Sequence, residues 1–155
     1  MSVFLDTSVL LAGLVDFGPQ SAPAQSLLHA VAEQRIDAPA TAWHCCLEFF
    51  SVALACPPSS GSRRPTPSSC CRMKSSGGWP FTTCRQDRLA MLRTAARDTI
   101  VGGRIYDAHI AEVARAAGAI VVVTDNRRHF LSALRYGLRV ETPTEFLTGL
   151  KKKPR

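Results

Sequence analysis

Four acidic side chains occupy positions from which they could form one metal site. Asp6 and Asp125 each follow a short run of apolar, strand-like residues, whereas Glu48 and Asp107 lie in segments with helical periodicity. Carboxylates about 4 Å apart repel by roughly 1 kcal/mol per pair in water and about four times that near a protein surface. If the four converge, they therefore predict a bound hard cation, Mg²⁺ or Mn²⁺.

Such an ion, held by carboxylates, keeps some of its waters and supports phosphodiester hydrolysis. It acidifies and positions one water and stabilises charge on the phosphate and the leaving group. Each acid alone also has an ordinary structural interpretation, as a helix cap, a turn former or a solvated helix residue. The nuclease interpretation therefore depends on their convergence.

Strands and helices alternate around these acids. Strands are predicted at residues 3–5, 36–40, 120–123 and 138–140. Helices are predicted at residues 9–14, 21–34, 41–54, 87–98, 105–117 and 127–134, and from residue 142 onward. The alternation predicts an α/β protein, a three-layer α/β/α sandwich with a mostly parallel central sheet. Ligands of such sheets bind beyond the carboxyl ends of the strands, where Asp6 and Asp125 are expected.

The helix that carries Glu48 has a predicted apolar face. Thr41 is the expected N-cap, and Leu47, Phe50 and Leu54 recur at spacings of three and four residues. Glu48 is therefore expected beside a buried stripe.

One domain is predicted over residues 1–150, with an anomalous segment at residues 55–86. That segment contains 7 Ser, 5 Pro, 4 Cys, 4 Arg and 3 Gly among 32 residues and has no helical or strand period, which predicts an irregular insert. Two origins stay open: a genuine insertion, or a stretch bounded by compensating frameshifts in a GC-rich gene. Residues 151–155 are predicted to be a basic tail.

Charge favours a polyanionic partner such as nucleic acid. The chain has 19 Lys and Arg against 12 Asp and Glu, for a net charge of +7. Arg127, Arg128 and His129 directly follow the last acid and are candidates for contacts to RNA phosphates. A solvated helix face is the competing interpretation of these three residues.

The N-terminal residues predict a cytoplasmic protein with no membrane partner. No positive segment precedes the first apolar run, and an acid interrupts that run after three residues, so a signal peptide is not expected. The apolar runs are too short to cross a bilayer. The six cysteines are accordingly expected to remain thiols.

Four segments, in order, resemble the motifs of the PIN-domain family and most closely its VapC-type toxins. They are FLDTSVL (4–10), LEFFSV (47–52), IYDAHIA (105–111) and VTDNRRHF (123–130). The resemblance spans nearly the whole chain apart from the insert. It implies a Mg²⁺- or Mn²⁺-dependent endoribonuclease with an α/β/α fold, often a homodimer, which a cognate antitoxin silences.

The resemblance also implies roles for the acids. Asp6 and Asp107 match the principal metal ligands, Glu48 matches a residue that binds metal or orients the water, and Asp125 completes the cluster. The family often places its fourth acid, or an Asn, two residues after the Thr, which here is Asn126. Asp125 stands one residue early, so both remain candidates for the fourth position.

Two other functions are compatible with parts of the sequence. A catalytically impaired PIN fold that only binds an antitoxin or RNA is the main alternative, because the insert occupies a region that should support the core. A phosphatase or receiver-like α/β domain that uses Asp6 as phosphate acceptor is disfavoured. Haloacid-dehalogenase-like phosphatases have a second aspartate two residues later, where this chain has Ser8.

Overall fold

Strands and helices alternate in a computed structural model that describes residues 2–36, 39–55, 81–82 and 88–151. The strands are β1 (Val3–Leu5), β2 (Pro39–Ala42), β3 (Phe81–Thr82), β4 (Val121–Val123) and β5 (Arg139–Glu141). The α-helices are α1 (Thr7–Leu14), α2 (Ala22–Ala32), α3 (Trp43–Ala55), α4 (Arg88–Arg97), α5 (Arg104–Ala116), α6 (Leu131–Leu134) and α7 (Pro143–Lys151). The predicted α/β class is confirmed.

The sheet has the order β3-β2-β1-β4-β5, and every neighbouring pair described is parallel. From β1 the chain moves outward to β2 and β3 on one side, then crosses to β4 and β5 on the other. The direction of winding therefore changes between β1 and β4. In parallel sheets this switch point opens a crevice at the carboxyl ends of the strands.

Two groups of helices complete the three-layer α/β/α sandwich. Helices α1, α2 and α7 pack in one group, with α3 against α1, and helices α4, α5 and α6 pack in the other. The central strands β1 and β4 are apolar and completely buried, as expected of strands covered on both faces. The crevice edge is thus built on the most rigidly packed part of the sheet.

The predicted boundary between the second strand and the next helix is wrong. Strand β2 extends to Ala42, so Thr41 lies within the strand and is not an N-cap. Its buried side-chain hydroxyl donates a hydrogen bond of 2.8 Å to the Leu5 carbonyl oxygen in β1. The Thr41 hydroxyl, predicted to cap a helix, instead forms its hydrogen bond between the two strands.

The predicted apolar face of α3 is also wrong. Leu47 is 51% exposed, whereas Phe49 is 1% exposed and Cys45 and Ala53 are buried on the same face. Phe50 is partly buried, and the Leu54 side chain lies outside the described residues. The helix therefore buries the stripe at positions 45, 49 and 53.

The predicted insert and basic tail fall largely outside the described residues. Within the insert range, Ala55 ends α3, and Phe81–Thr82 forms β3 beside β2, where no strand was predicted. Residues 56–80, 83–86 and 152–155 lie outside the description, and Lys151 is the last residue of α7. Among the helices described, none has the length and apolar character needed to span a membrane.

Candidate active site

Asp6 lies directly after β1, at the crevice between β1 and β4. Its backbone N–H donates to the Val123 carbonyl (3.2 Å), and its side chain is almost completely buried. Oδ2 of the carboxylate accepts hydrogen bonds from Ser8 Oγ and Thr124 Oγ1, both at 2.9 Å. Asp6 occupies the N-cap position of α1, yet its side chain makes no capping hydrogen bond. The capping interpretation of this carboxylate is therefore excluded.

The same two hydroxyls connect the segments that follow β1 and β4. The backbone N–H of Asp125 donates to Ser8 Oγ (3.1 Å), and that of Asn126 donates to Thr124 Oγ1 (2.9 Å). The two hydroxyl oxygens are 3.3 Å apart. The first turn of α1 and the loop after β4 thus form one hydrogen-bonded unit around the Asp6 carboxylate.

Glu48 is bound to the beginning of α1. The Thr7 hydroxyl donates a 2.6 Å hydrogen bond to Glu48 Oε2. On the other carboxylate oxygen, His44 Nε2 lies 3.2 Å from Oε1, one helical turn earlier in α3. Glu48 is about two-fifths exposed, and it faces the crevice edge from α3. It is therefore more than a solvated helix residue.

Asp107 projects from the first turn of α5 and is mostly buried. Burial raises the pKa of its carboxyl most strongly, and the nearby His129 imidazole, when protonated, opposes this shift. The negative charges of Asp6 and Glu48 raise the pKa further, with Arg104 opposing. Asp107 therefore lies within electrostatic reach of both other acids.

Asp125 and Asn126 face different neighbours. Asp125 is exposed, and partial loss of hydration together with the negative charge of Asp6 raises its pKa. The Asn126 amide nitrogen lies 2.9 Å from Nδ1 of His129, and the same Nδ1 lies 3.6 Å from the Asp107 carboxylate. Asp125 thus belongs electrostatically with the acidic cluster, whereas Asn126 adjoins His129.

The donor groups of the cluster suit a hard cation. Within the part of the chain that the structure describes, no three His, Cys, Asp or Glu side chains lie close enough to hold one ion. Mg²⁺ is commonly bound through one or two carboxylates and several waters, and carboxylate oxygens are the kind of ligand that it prefers. The buried thiol of Cys45 has a pKa raised to about 11 by burial and by the charge of Asp6. It therefore stays protonated at neutral pH and offers no thiolate to zinc.

The basic residues after the last acid differ in their surroundings. Arg127 donates a 2.8 Å hydrogen bond to Glu145 in α7 and forms an ion pair with it. Arg128 is exposed, and His129 lies beside Asp107. Of the three, Arg128 presents the charge that is most accessible to a phosphate.

An aromatic pair at the edge of the site was not predicted from the sequence. The His44 ring stacks on Tyr106 with centroids 4.9 Å apart and an interplanar angle of 9°. The four-residue spacing between His44 and Glu48 is a signal that could have placed His44 beside the acid. No comparable signal pairs His44 with Tyr106, because their contact joins α3 to α5.

Asp107→Asn should make the metal-free protein more stable at pH 7. The pKa of Asp107 is raised above its usual value of 3.8, so the folded protein binds this proton more tightly than the unfolded chain does. The stabilisation of the folded state by the protonated Asp107 carboxyl is then lost as the pH rises from 3.8 through the raised pKa. Urea unfolding in EDTA should show a gain at pH 7 that shrinks toward zero as the pH falls to 3.8. A variant less stable than wild type at pH 7 would mean that the carboxylate makes a net favourable contact.

No protein-family model matches the chain, and no curated protein sequence is significantly similar to it. The case for a function consequently depends on the geometry of these residues and on the resemblance of the four motifs.

Proposed function

We propose that this protein is a metal-dependent endoribonuclease of the PIN-domain type, resembling the VapC-type toxins. The observation that carries the proposal is the hydrogen-bonded position of Asp6 between the ends of β1 and β4, at the switch point of a parallel sheet, with Glu48 held by the adjacent Thr7. The negative charges of Asp6 and Glu48 also raise the pKa of Asp107. These three acids come from three separate motifs of the sequence. A shared cation gives their proximity a physical reason.

Asp6 and Asp107 would hold Mg²⁺ or Mn²⁺, which when bound activates a water and stabilises charge on the scissile phosphate. The residues of the chain prepare this site. Ser8 and Thr124 each donate a hydrogen bond to Oδ2 of Asp6 and so fix the orientation of its carboxylate. Thr7 donates a hydrogen bond to Oε2 of Glu48 and His44 Nε2 lies 3.2 Å from Oε1, so both neighbours hold the carboxylate in a position from which it would orient a water. Asp125 adds negative charge beside Asp6.

RNA is the proposed substrate, and basic residues adjoin the acidic site. Arg128 is exposed on the loop that carries Asp125, and His129 is about half exposed beside Asp107. Positive groups at this position can bind the phosphates that flank the scissile bond without reading sequence. The net charge of +7 favours the same kind of partner.

The proposal includes a cognate antitoxin, a homodimer and a cytoplasmic location. An antitoxin segment would cover the acidic site and the basic residues beside it, which is the surface that RNA would otherwise occupy. The free thiol of Cys45 suits a reducing compartment.

A catalytically impaired PIN fold that binds only its antitoxin or RNA is the second candidate. The observation that favours it is the spacing of the acids, since no three side chains in the described ranges surround one point. Activity would then require the carboxylates to close around the ion.

Purified full-length protein should cleave single-stranded RNA when Mn²⁺ or Mg²⁺ is present and not in EDTA. Attack by a water should leave 5′-phosphate and 3′-hydroxyl ends. This end chemistry is the control, because common contaminating ribonucleases use the 2′-hydroxyl, need no metal and leave cyclic phosphates. Tight binding of a co-encoded antitoxin without metal-dependent cleavage would select the impaired fold.

A further inference from the structure

An exposed aromatic ring adjoins the acidic site. Tyr106 immediately precedes Asp107 in α5, and 52% of its surface is exposed. His44, from α3, stacks in parallel on one face of the tyrosine ring. His44 in turn lies 3.2 Å from Glu48. The aromatic pair therefore spans the two helices that supply Glu48 and Asp107.

Packing alone does not account for this arrangement. A tyrosine that served only to join α3 to α5 would bury its ring between them, whereas half of Tyr106 remains in water. His44 covers one face of the ring, so the opposite face and the ring edge are where the exposed surface can lie. His44 also limits the orientations of the ring, so less side-chain entropy is lost when a ligand binds.

We propose that Tyr106, supported by His44, is a stacking platform for one unpaired nucleobase of a single-stranded RNA. The inference rests on the proposed function and adds a positioning residue to it. Stacking on aromatic side chains is how proteins hold splayed bases of single strands, and every base offers a π face. A base held on Tyr106 would place its own phosphate near Asp107, the adjacent residue of the same helix.

The contribution of Tyr106 to the free energy of RNA binding should be independent of salt concentration. Contacts to phosphates release counterions and give a salt-dependent affinity, whereas stacking does not. Losing the ring should therefore weaken RNA binding by the same factor at every salt concentration. A general collapse of the site would also change the slope of affinity against salt, because it would displace the basic residues.

The test measures binding of a short, unstructured, fluorescently labelled RNA to the full chain in EDTA, where cleavage cannot occur. Tyr106→Leu should raise Kd by roughly 5- to 160-fold, which corresponds to the 1–3 kcal/mol typical of a single base–aromatic stack, with the salt slope unchanged. Tyr106→Phe should keep the wild-type Kd within about twofold, because the stacking face is retained. Ile120→Ala is the matched control, since Ile120 is 46% exposed but precedes β4 at the opposite edge of the sheet.

A second readout reports stacking directly. RNAs that carry 2-aminopurine at successive positions should show quenching at one position with wild type and Tyr106→Phe, and none with Tyr106→Leu. Unchanged Kd and unchanged 2-aminopurine fluorescence in Tyr106→Leu would overturn the inference, even if the enzyme cleaves RNA. Tyr106-dependent binding by a protein that never cleaves RNA would uphold it and overturn the nuclease proposal instead.

Discussion

Asp6→Asn and Asp107→Asn are each expected to abolish metal-dependent RNA cleavage. Each change removes a negative charge from the proposed ion site and nearly preserves the volume of the side chain. Stabilisation of the transition state by a metal amounts to several kcal/mol, so its loss corresponds to a fall in rate of about 10³-fold. Single-turnover cleavage with saturating protein measures the chemical step directly.

Glu112→Gln is the matched control for the loss of charge. Glu112 lies on α5 like Asp107, but it pairs with Arg115 and accepts a hydrogen bond from Tyr136, away from the crevice. Its substitution should leave the cleavage rate unchanged. Melting temperatures with and without Mn²⁺ complete the test, since an ion that binds only the folded protein stabilises it. Equal Mn²⁺ shifts in all four proteins, with cleavage intact, would refute the assignment of Asp6 and Asp107.

Phe49→Ala should destabilise the protein by about 3–5 kcal/mol, the usual cost of removing a buried phenyl ring and leaving a cavity. Phe49 is 1% exposed, and it lies on the buried face of α3. Its ring also meets Phe50 edge to face, with centroids 5.6 Å apart. The measurement is the free energy of unfolding from urea titration in EDTA, which keeps metal binding out of the comparison.

Leu47→Ala distinguishes the observed face of α3 from the one predicted. Leu47 is 51% exposed, so its truncation should change stability by no more than about 0.5 kcal/mol. A large loss of unfolding free energy for Leu47→Ala and a small loss for Phe49→Ala would support the face predicted from the sequence. It would contradict the burial of Phe49 and the exposure of Leu47.

The parts of the fold that sequence predicts well are those whose signals are local. The VVV run of β4 is apolar on both faces, and only a buried strand accommodates it. Thr142 and Glu145 form the reciprocal hydrogen bonds of a capping box, at 2.8 and 3.3 Å, so the start of α7 can be read from two residues.

The wrong predictions concern residues whose local sequence fits two structures equally well, so that tertiary contacts determine which one forms. In α3 the set Leu47, Phe50 and Leu54 has helical spacing, but so does the set Cys45, Phe49 and Ala53, whose small members give a weaker apolar signal. Thr41 is likewise suitable both as an N-cap and as a strand residue. Its acceptor, the Leu5 carbonyl, is 36 residues away in sequence, which no local pattern reveals.

The acids of the site were predicted, but the groups that hold them were not. Asp6 and Asp107 are singled out by charge in apolar surroundings and by motif resemblance. Ser8 and Thr124, by contrast, are ordinary hydroxyl residues until the pairing of β1 with β4 brings them to Asp6. Tyr106 is equally unremarkable in sequence, since its exposure and its contact with His44 depend on how α3 and α5 pack.

The hydrogen bond between Asp6 and Thr124 joins residues 118 positions apart, and this separation governs when the site can form. During synthesis, β1 leaves the ribosome long before β4, its neighbour at the centre of the sheet. Domains fold as units, and pairings between distant segments must wait for both partners. The hydrogen-bonded arrangement of Ser8 and Thr124 around Asp6 therefore cannot form on a nascent chain that ends before β4. A ribosome-bound chain that ends before β4 lacks the hydrogen bond from Thr124 that helps to hold the Asp6 carboxylate.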